Sequence, residues 1–236
     1  MVRLGVWPEG YIDPQAARAV RDVVRKRAHV VRQHTANGLR VHNIMARNTG
    51  LRFSVRPMHA CTKQDLEGVL PEANQVLAVT SRLARLDCLR QQSTTLEKAV
   101  TQYLKHTPAS EQLLTVDGIG TILAQTIGLE TGDIGRCPTV GNDASYCRGV
   151  KRTNISNGKR KGQGNAKNDN PYLEWASMEA AQFALRFNPT GQRFYQRQHA
   201  KSHRMVARKA VAHTLSRACY DMLRDLVPFE VHQAFG

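Results

Sequence analysis

The sequence predicts an all-α protein, and three observations carry that prediction. Apolar residues recur every three or four positions in several long segments. Capping residues, Pro and Gly separate these segments. No series of segments shows the alternation of period two that is typical of strands. With 236 residues, 41% of them hydrophobic, the chain can bury a core and is not wholly disordered.

The first predicted element is a long helix that begins after Asp13-Pro14, where Asp is a cap and Pro a first helical residue. Its apolar side carries Val20, Val23, Val24, Val30, Val31, Ala36, Leu39, Ile44 and Met45. Its other side carries Arg18, Arg21, Arg25, Arg32, Arg40 and Arg47. This spacing predicts an amphipathic helix with a basic face.

A second long helix is predicted from about Pro71 to about Lys105, after a break at residues 50–61. Its apolar positions keep a nearly heptad rhythm, which is typical of a coiled coil, although Ser93 and Thr94 weaken the seam. An ordinary bundle helix explains the same pattern equally well. We therefore expect three regions: a basic linker helix (1–60), a coiled-coil-like arm (61–107) and a helical C-terminal domain (108–236).

Shorter helices are predicted in the C-terminal region. One begins at Pro171, behind possible caps at 168–170, and Asn188-Pro189 interrupts it. A last helix is expected from about Ser202 to Leu226.

The chain is strongly basic, with a formal net charge of +15. The excess lies in two blocks, +8 over residues 1–60 and +11 over residues 148–210. Two such blocks favour a directed surface for nucleic acid, while solvated basic helix faces are the alternative.

The five cysteines are scattered along the chain, which indicates reduced residues that serve packing. The sequence has no signal peptide and no apolar run of membrane-spanning length, which predicts a cytoplasmic protein with no membrane partner.

A short apolar segment, Gly118-Ile119-Gly120 and a second apolar segment together predict a helix-hairpin-helix over residues 113–134. Glycine lets the backbone turn through positive φ and approach a phosphate closely. The N–H groups of Gly118, Gly120 and Thr121 and the positive end of the next helix would then meet that anion. A turn that only joins two helices is the alternative.

The stretch "KRTNISNGKRKGQGN" has a composition that cannot form a core. It places Ser156 among five cations, Lys151, Arg152, Lys159, Arg160 and Lys161. A serine hydroxyl that attacks phosphate needs activation, and neighbouring cations stabilise the charge that develops. An ordinary serine in a basic loop, or a disordered linker, explains the composition as well.

A family resemblance joins these segments. "TVDGIGTILAQTIGLETGDIGRC", "ASYCRGV", "ISNGKRKGQGN", "NPYLEWASMEAAQFALRFNP", "RFYQR" and "KAVAHTLSRACYDML" occur in the order found in bacterial transposases of the insertion sequence 110 family. The similarity covers about residues 108–226, and residues 3–50 resemble the segment that links the two domains of that family.

The resemblance implies a recombinase with a composite site. An acidic ribonuclease-H-like domain holds a divalent metal, Mg²⁺, and the helical domain supplies a serine that attacks the DNA backbone; this serine maps to Ser156. Some members are guided by a structured RNA. DNA, a possible guide RNA and a second copy of the chain are the expected partners.

The acidic domain of the family would precede the segment with which this sequence begins, and the early acids Glu9, Asp13 and Asp22 match none of its metal ligands. We therefore expect an N-terminally truncated transposase that binds no metal by itself and is inactive alone.

His199 and His203 have the spacing of a metal-binding pair on a helix, but the sequence offers no third ligand. Arg193, Arg197 and Arg204 are expected to follow a phosphate backbone, with a solvated face as the alternative.

Two other functions fit parts of the sequence. A non-catalytic helix-hairpin-helix module would bind nucleic acid with an incidental serine. A structural protein built on the coiled coil would self-associate and show no salt-sensitive binding to DNA.

Overall fold

The computed structural model describes residues 12–50, 61–103, 108–149, 153–163 and 169–236. The chain divides into two compact units, one of residues 22–103 and the other of residues 1–21 together with 104–236. The predicted all-α class is confirmed, since helices make up most of the described residues. The strands within the described ranges form one short hairpin at residues 153–163, in the segment that the sequence presented only as a loop.

The unit of residues 22–103 is an antiparallel helical hairpin. Helix α1 (Gln15–Thr49) supplies one arm, α2 (Lys63–Glu67) lies near the turn, and α3 (Ala73–Tyr103) supplies the other arm. Near the turn the Gln75 Nε2 donates to Asn48 Oδ1 at 3.3 Å. Near the other end the Arg27 Nε donates to Glu97 Oε1 at 2.9 Å. The two contacts fix the antiparallel register.

The apolar seam of α3 is filled by the same chain. A buried cluster joins residues of all three helices: Val41, Met45, Leu66, Leu70, Val76, Val79, Leu83 and Leu86. This arrangement favours the bundle-helix interpretation of the seam, since its apolar side packs within one chain. Pairing between copies of the chain stays a prediction, as do the region boundaries at residues 60 and 107.

The second unit is built on helices. These are α4 (Pro108–Leu113), α5 (Thr121–Thr131), α6 (Val140–Tyr146), α7 (Pro171–Phe187), α8 (Pro189–Lys201), α9 (Arg204–Asp225) and α10 (Val231–Phe235). A 3-10 turn at Ile134–Arg136 follows α5. The predicted caps are present, because Asn170 begins α7 and Asn188 begins α8, each accepting backbone N–H donors. The predicted break at Asn188-Pro189 is therefore confirmed.

Helices α7 and α9 form the centre of this unit. Small buried residues on α7 (Ala176, Ala180, Ala181 and Ala184) let its neighbours approach closely, while Val211 and Leu215 of α9 lie fully within the core. The buried Tyr220 hydroxyl donates to the carbonyl of Cys137 at 2.8 Å. Phe235 closes the core at the end of the chain, at only 1% exposure.

Candidate nucleic-acid interface

Ser156 ends the first strand of a tight β-hairpin. Strand β1 (Thr153–Ser156) pairs antiparallel with β2 (Lys159–Gln163). Asn157 and Gly158 join them with φ values of 52° and 70°, the signature of a type I′ turn. Gly158, in the stretch that the sequence indicated as a basic loop or a disordered linker, therefore shapes a defined turn. The Asn157-Gly158 pair is itself a strong local signal for a two-residue hairpin, which the prediction of a loop did not use.

The hairpin brings Ser156 and Lys159 together. They are register partners on either side of the turn, and both are exposed. Directly opposed residues have their Cβ atoms about 5 Å apart on the same face. A group that met the Ser156 hydroxyl would therefore lie within reach of the Lys159 ammonium.

The other cations predicted around Ser156 are described less fully. Arg160 pairs with Ile155 in the register, and the register shifts between Asn154 and Ile155, which leaves Lys161 without an opposite residue. Lys151 and Arg152 lie outside the described residues. Their contribution to the site stays a prediction.

The segment that carries the hairpin leaves and re-enters the helical unit at one place, which we call the neck (Tyr146, Arg148, Asp169, Asn170 and Glu174). The Asn170 N–H donates to the carbonyl of Tyr146 at 3.0 Å. The Arg148 guanidinium contacts Glu174 Oε2 at 3.4 Å and the carbonyl of Asp169 at 3.5 Å. Arg148 and Asp169 both have positive φ, 56° and 67°, so the chain turns sharply on each side. The neck therefore holds the two ends of the basic segment together.

Polar side chains in the interior of the unit contact the residues of the neck. The Asn170 side chain donates to the buried Glu130 carboxylate at 2.7 Å and contacts the Tyr146 hydroxyl at 3.2 Å. The Arg136 guanidinium lies 4.6 Å from the centre of the Tyr146 ring. Glu174 also contacts the Lys209 Nζ at 3.4 Å, which connects the neck with α9. The hydrogen-bonded pair of buried side chains, Asn170 and Glu130, makes a rigid support.

Asp143 is buried in α6, the helix that ends at Tyr146 of the neck. Burial raises its pKa to about 6, against the smaller opposing effects of the Cys147 thiol and the Arg136 guanidinium. Burial likewise raises the pKa of the Cys147 thiol, followed by the effect of Asp143. These buried groups belong to the packing of α6. They are not exposed like Ser156.

The second predicted contact, which we call the GIG turn (Gly118–Gly120), joins α4 and α5. Gly118 has a φ of 105° and lies against α7: a Cβ atom there would be 2.6 Å from the Ala184 nitrogen and 2.9 Å from the Phe183 Cβ. Gly120 is the N-cap of α5 and provides no side-chain cap to its first turn. The N-terminal N–H groups of α5 are the donors that a phosphate would meet.

Two aromatic residues stand beside the GIG turn. The sequence places Trp175, Phe183 and Phe187 in an apolar helix and predicts that they belong to the core, with a stacking surface as the alternative for one of them. Phe183 and Phe187 are 40% and 60% exposed and line an open groove with residues 118–123. Only Trp175 of that set packs against the core. Periodicity missed this because both phenylalanines lie near the end of α7, where its apolar side emerges from the core.

The three predicted arginines occupy different environments. Arg193 is exposed and donates to Thr190 Oγ1 at 3.2 Å. The Arg197 guanidinium donates to the carbonyl of Phe235 at 2.9 Å and lies 5.7 Å from the Phe194 ring centre, so it also holds the C-terminal helix. Arg204 is the exposed first residue of α9.

His199 and His203, the pair spaced for a metal, instead contact neighbouring residues of their own helices. The Nδ1 of His203 accepts from the Met205 N–H at 3.3 Å as the cap of α9, and the His199 ring lies 5.6 Å from that of Tyr195. In the described ranges, no three His, Cys, Asp or Glu side chains come together in a way that could hold a metal ion. In the same ranges, no helix combines the length and the apolarity needed to cross a bilayer.

These features define a class: a helical body that presents a cationic hairpin with an exposed hydroxyl, and a glycine turn with open backbone donors. A comparison with known protein families identifies which family this class of protein resembles. Residues 110–196 match the model of the Transposase IS116/IS110/IS902 family. The chain is therefore similar to this transposase family over residues 110–196, and the resemblance seen in the sequence is confirmed over that segment.

The matched segment contains the GIG turn, the neck, Ser156 and Arg193. Residues 3–50 and those beyond 196 lie outside it, so the wider resemblance stays a prediction. No curated protein matches the chain.

Proposed function

We propose that the protein is a DNA strand transferase in which the Ser156 hydroxyl attacks a phosphodiester. The observation that carries the proposal is the exposed pair of Ser156 and Lys159 at the tip of a hairpin, inside a segment that matches a transposase family. In a family of this kind DNA is the substrate.

The proposed step exchanges one ester bond for another. The Ser156 oxygen forms a bond to phosphorus, the bond from phosphorus to one DNA oxygen breaks, and that oxygen receives a proton as it leaves. The product is a phosphoserine link that a second DNA end can resolve by the reverse reaction. Because a serine hydroxyl is a weak nucleophile, it needs a base or a metal for activation.

The chain's own contribution to this step is electrostatic and positional. The Lys159 ammonium, beside the hydroxyl, stabilises the charge that develops on the phosphate oxygens. Arg160 and Lys161 continue the basic strand, and Lys151 and Arg152 precede it. The neck fixes where this strand pair leaves the helical body, and fixed geometry lowers the entropic cost of the attack.

The GIG turn and the arginines are proposed to hold the duplex. The N–H groups of Gly118, Gly120 and Thr121 would bind one phosphate without reading sequence. The neck contacts the beginning of α7 and the GIG turn contacts its end, about 20 Å away for thirteen residues of helix. Arg193, Arg197 and Arg204 would bind further phosphates.

Mg²⁺ belongs to the proposed reaction of the complete family enzyme, in which it would polarise the attacked phosphate. The described residues do not bring together ligands for it, so no step is assigned to it here. The proposal is that acidic metal ligands act on Ser156 from a separate domain, and that the present residues alone bind DNA without exchanging strands.

A serine-to-alanine pair tests the nucleophile. Strand exchange and covalent protein–DNA adducts are measured on denaturing gels with the family's acidic domain supplied in trans. We expect Ser156→Ala to abolish both, by more than about 1,000-fold, because no other hydroxyl occupies that place. Ser145→Ala, at an exposed serine in the same matched segment, is the control and should retain full activity.

The outcome also separates the two functions. Exchange that persists in Ser156→Ala shows that the nucleophile is a different group. Salt-sensitive DNA binding by the wild-type protein without any adduct favours a non-catalytic helix-hairpin-helix module instead.

A further inference from the structure

An open groove of about 340 Å³ lies among helices α7, α8 and α9 of the second unit. We call it the amide groove, because three glutamines contribute to its lining. Its polar side chains are those of Gln182, Arg186, Gln192, Tyr195, Gln196 and Arg208. This volume is at the lower end of the range for sites that bind small molecules. The groove can therefore take one group of about the size of a nucleotide.

The two guanidinium groups of the groove have no partner among the described residues. Neither Arg186 nor Arg208 forms a side-chain hydrogen bond or an ion pair with them. The Arg208 Nε is shielded from solvent as well. The Arg186 guanidinium lies 5.7 Å from the centre of the Phe187 ring, a contact that leaves its N–H groups available to an acceptor. Because a shielded cation without an anion is costly, an anionic group in the groove would lower that cost.

The helices around the groove bring no carboxylate to these cations. The described residues that line the groove include no Asp or Glu. Helix α8 contains neither, and α9 contains neither before Asp221. On α7, Glu174 contacts the Lys209 Nζ at 3.4 Å, and Glu179, one turn before Gln182, forms no ion pair with either arginine. An anion from outside the chain is therefore the partner that this lining fits.

The amides of the groove extend this requirement beyond a simple anion. The Gln192 Nε2 donates to the carbonyl of Leu185 at 2.8 Å, which holds that side chain at the wall. Gln182 and Gln196 are exposed, and their amides form no hydrogen bond with the described residues. An amide offers a donor and an acceptor together, which is what the edge of a nucleobase matches. A phosphate alone would use the arginines and leave the amides without a role.

The size of the groove determines the pairing state of such a base. A groove that holds one nucleotide cannot hold a base pair. Enzymes that act on nucleic acids meet the same restriction by taking up a nucleotide that is out of the stack. The lining therefore fits an unpaired nucleotide, and it does not fit a continuous duplex.

We infer that the amide groove binds one unpaired nucleotide of a DNA strand. The phosphate lies at Arg186 and Arg208, and the edge of the base lies at Gln182 and Gln196. The choice of DNA as the source of the nucleotide rests on the proposed function. None of these four residues belongs to the hairpin, to the GIG turn or to the three arginines proposed to hold the duplex.

A pair of DNA probes tests the inference with the full chain. Two labelled duplexes share one sequence, and one of them carries a single unpaired adenine at its centre. Fluorescence anisotropy gives the ratio of the two affinities. We expect the wild-type protein to bind the duplex with the unpaired adenine at least about tenfold more tightly. Arg186→Gln/Arg208→Gln should abolish this preference and still bind the fully paired duplex.

A matched control uses the far end of α9. Arg217→Gln/Arg224→Gln removes the same charge from two exposed positions. It should retain the preference of the wild type. An equal loss of preference in both double variants would mean that net charge, and not the groove, determines it, and the inference would be wrong.

A second variant guards against misfolding, since Arg208 is half-buried. Circular dichroism and urea denaturation compare the folding of all variants. Gln182→Ala/Gln196→Ala changes only exposed side chains and should reduce the preference by about fivefold or more. A preference that survives both this variant and the arginine variant overturns the inference.

Other outcomes are equally decisive. Equal affinity for a probe that carries an abasic site in place of the unpaired adenine would mean that no base is recognised, and the assignment of a nucleotide would be wrong. A preference at least about tenfold stronger for the same unpaired nucleotide in RNA overturns the choice of DNA. A wild-type protein that binds both DNA probes equally refutes the groove alone, whereas one that binds neither refutes the proposed function as well.

Discussion

Two glycine turns lie in the segment that matches the transposase family, and their glycines both have positive φ but different surroundings. Gly118 and Gly158 both have positive φ, 105° and 70°. A Cβ atom at Gly118 would collide with the backbone of Ala184, whereas one at Gly158 would meet nothing within 4 Å. The first turn is part of the core and the second projects from it.

Under the proposed function, the two turns would present groups to a phosphate in two different ways. The GIG turn uses backbone N–H groups whose places are fixed by α7, so its geometry cannot change without disturbing the core. The hairpin carries the exposed residues Ser156 and Lys159, and the neck holds together the ends of the segment that contains it. In the proposed function, the rigid turn would hold DNA and the projecting one would reach a particular phosphate.

The largest expected effect is on the buried turn. Gly118→Ala adds a methyl group at 2.6 Å from the Ala184 nitrogen, in a backbone conformation that alanine rarely adopts. Overpacking and positive φ together should lower the free energy of unfolding by about 3 kcal/mol or more, measured by urea denaturation.

Gly120→Ala is the matched control for that variant. Gly120 has a φ of −87°, and a Cβ atom there would meet nothing within 4 Å. We expect it to cost less than about 1 kcal/mol. Equal losses at the two positions would show that Gly118 is not locked against α7.

An intermediate effect is expected beneath the neck, at Asp143. Its pKa of about 6 lies above that of an exposed aspartate because of burial, so the folded protein holds an extra proton between about pH 4 and 6. Stability from this group is therefore full below pH 4 and is lost as the pH rises through 6, by about 3 kcal/mol at most.

Asp143→Asn should remove this loss. The measurement is the difference in unfolding free energy between wild type and variant from pH 4 to 8, in which other groups such as His213 cancel. The variant should gain relative to the wild type as the pH rises. A difference that does not vary with pH would mean that the Asp143 carboxylate is solvated, and that α6 is a looser support for the hairpin than the structure shows.

The smallest effect on global stability is expected at the projecting turn. Gly158→Ala costs about 1 kcal/mol locally, because alanine resists positive φ, but it creates no clash. Amide hydrogen exchange at residues 153–163 should increase while the urea midpoint stays unchanged. Asn157→Gly, which tolerates the same turn, should leave both unchanged. A shift of the global midpoint by Gly158→Ala would show that the hairpin folds as part of the core.

The helices could be predicted from the sequence because their signals are local. Asn170 and Asn188 cap α7 and α8 at the predicted places, and Pro71 lies two residues before α3 begins. Residues at three-to-four spacing, such as Val211 and Leu215, are buried as the pattern requires. Periodicity and capping are determined within a few residues, so one sequence is enough to reveal them.

What sequence reasoning could not reveal depends on contacts between distant segments. The seam of α3 has the same apolar pattern whether its partner is α1 or another chain, and only the fold shows that Val41 and Met45 fill it. The burial of Asp143 likewise depends on helices far apart in the chain. The hairpin is different, because Asn157-Gly158 signals it locally, but the absence of alternating apolar residues in the strands concealed it.

The neck affects how far the basic segment can vary in length and sequence without disturbing the helical body. The Asn170 N–H donates to the carbonyl of Tyr146, so the two ends of the basic segment are already joined at the neck, before the hairpin begins. Doubling the length of a flexible loop costs only about 0.6 kcal/mol in closure entropy. Insertions, deletions or a wholly different hairpin can therefore be exchanged at this point while the helical body stays as it is. The helical body is therefore compatible with hairpins of different length and sequence at this position.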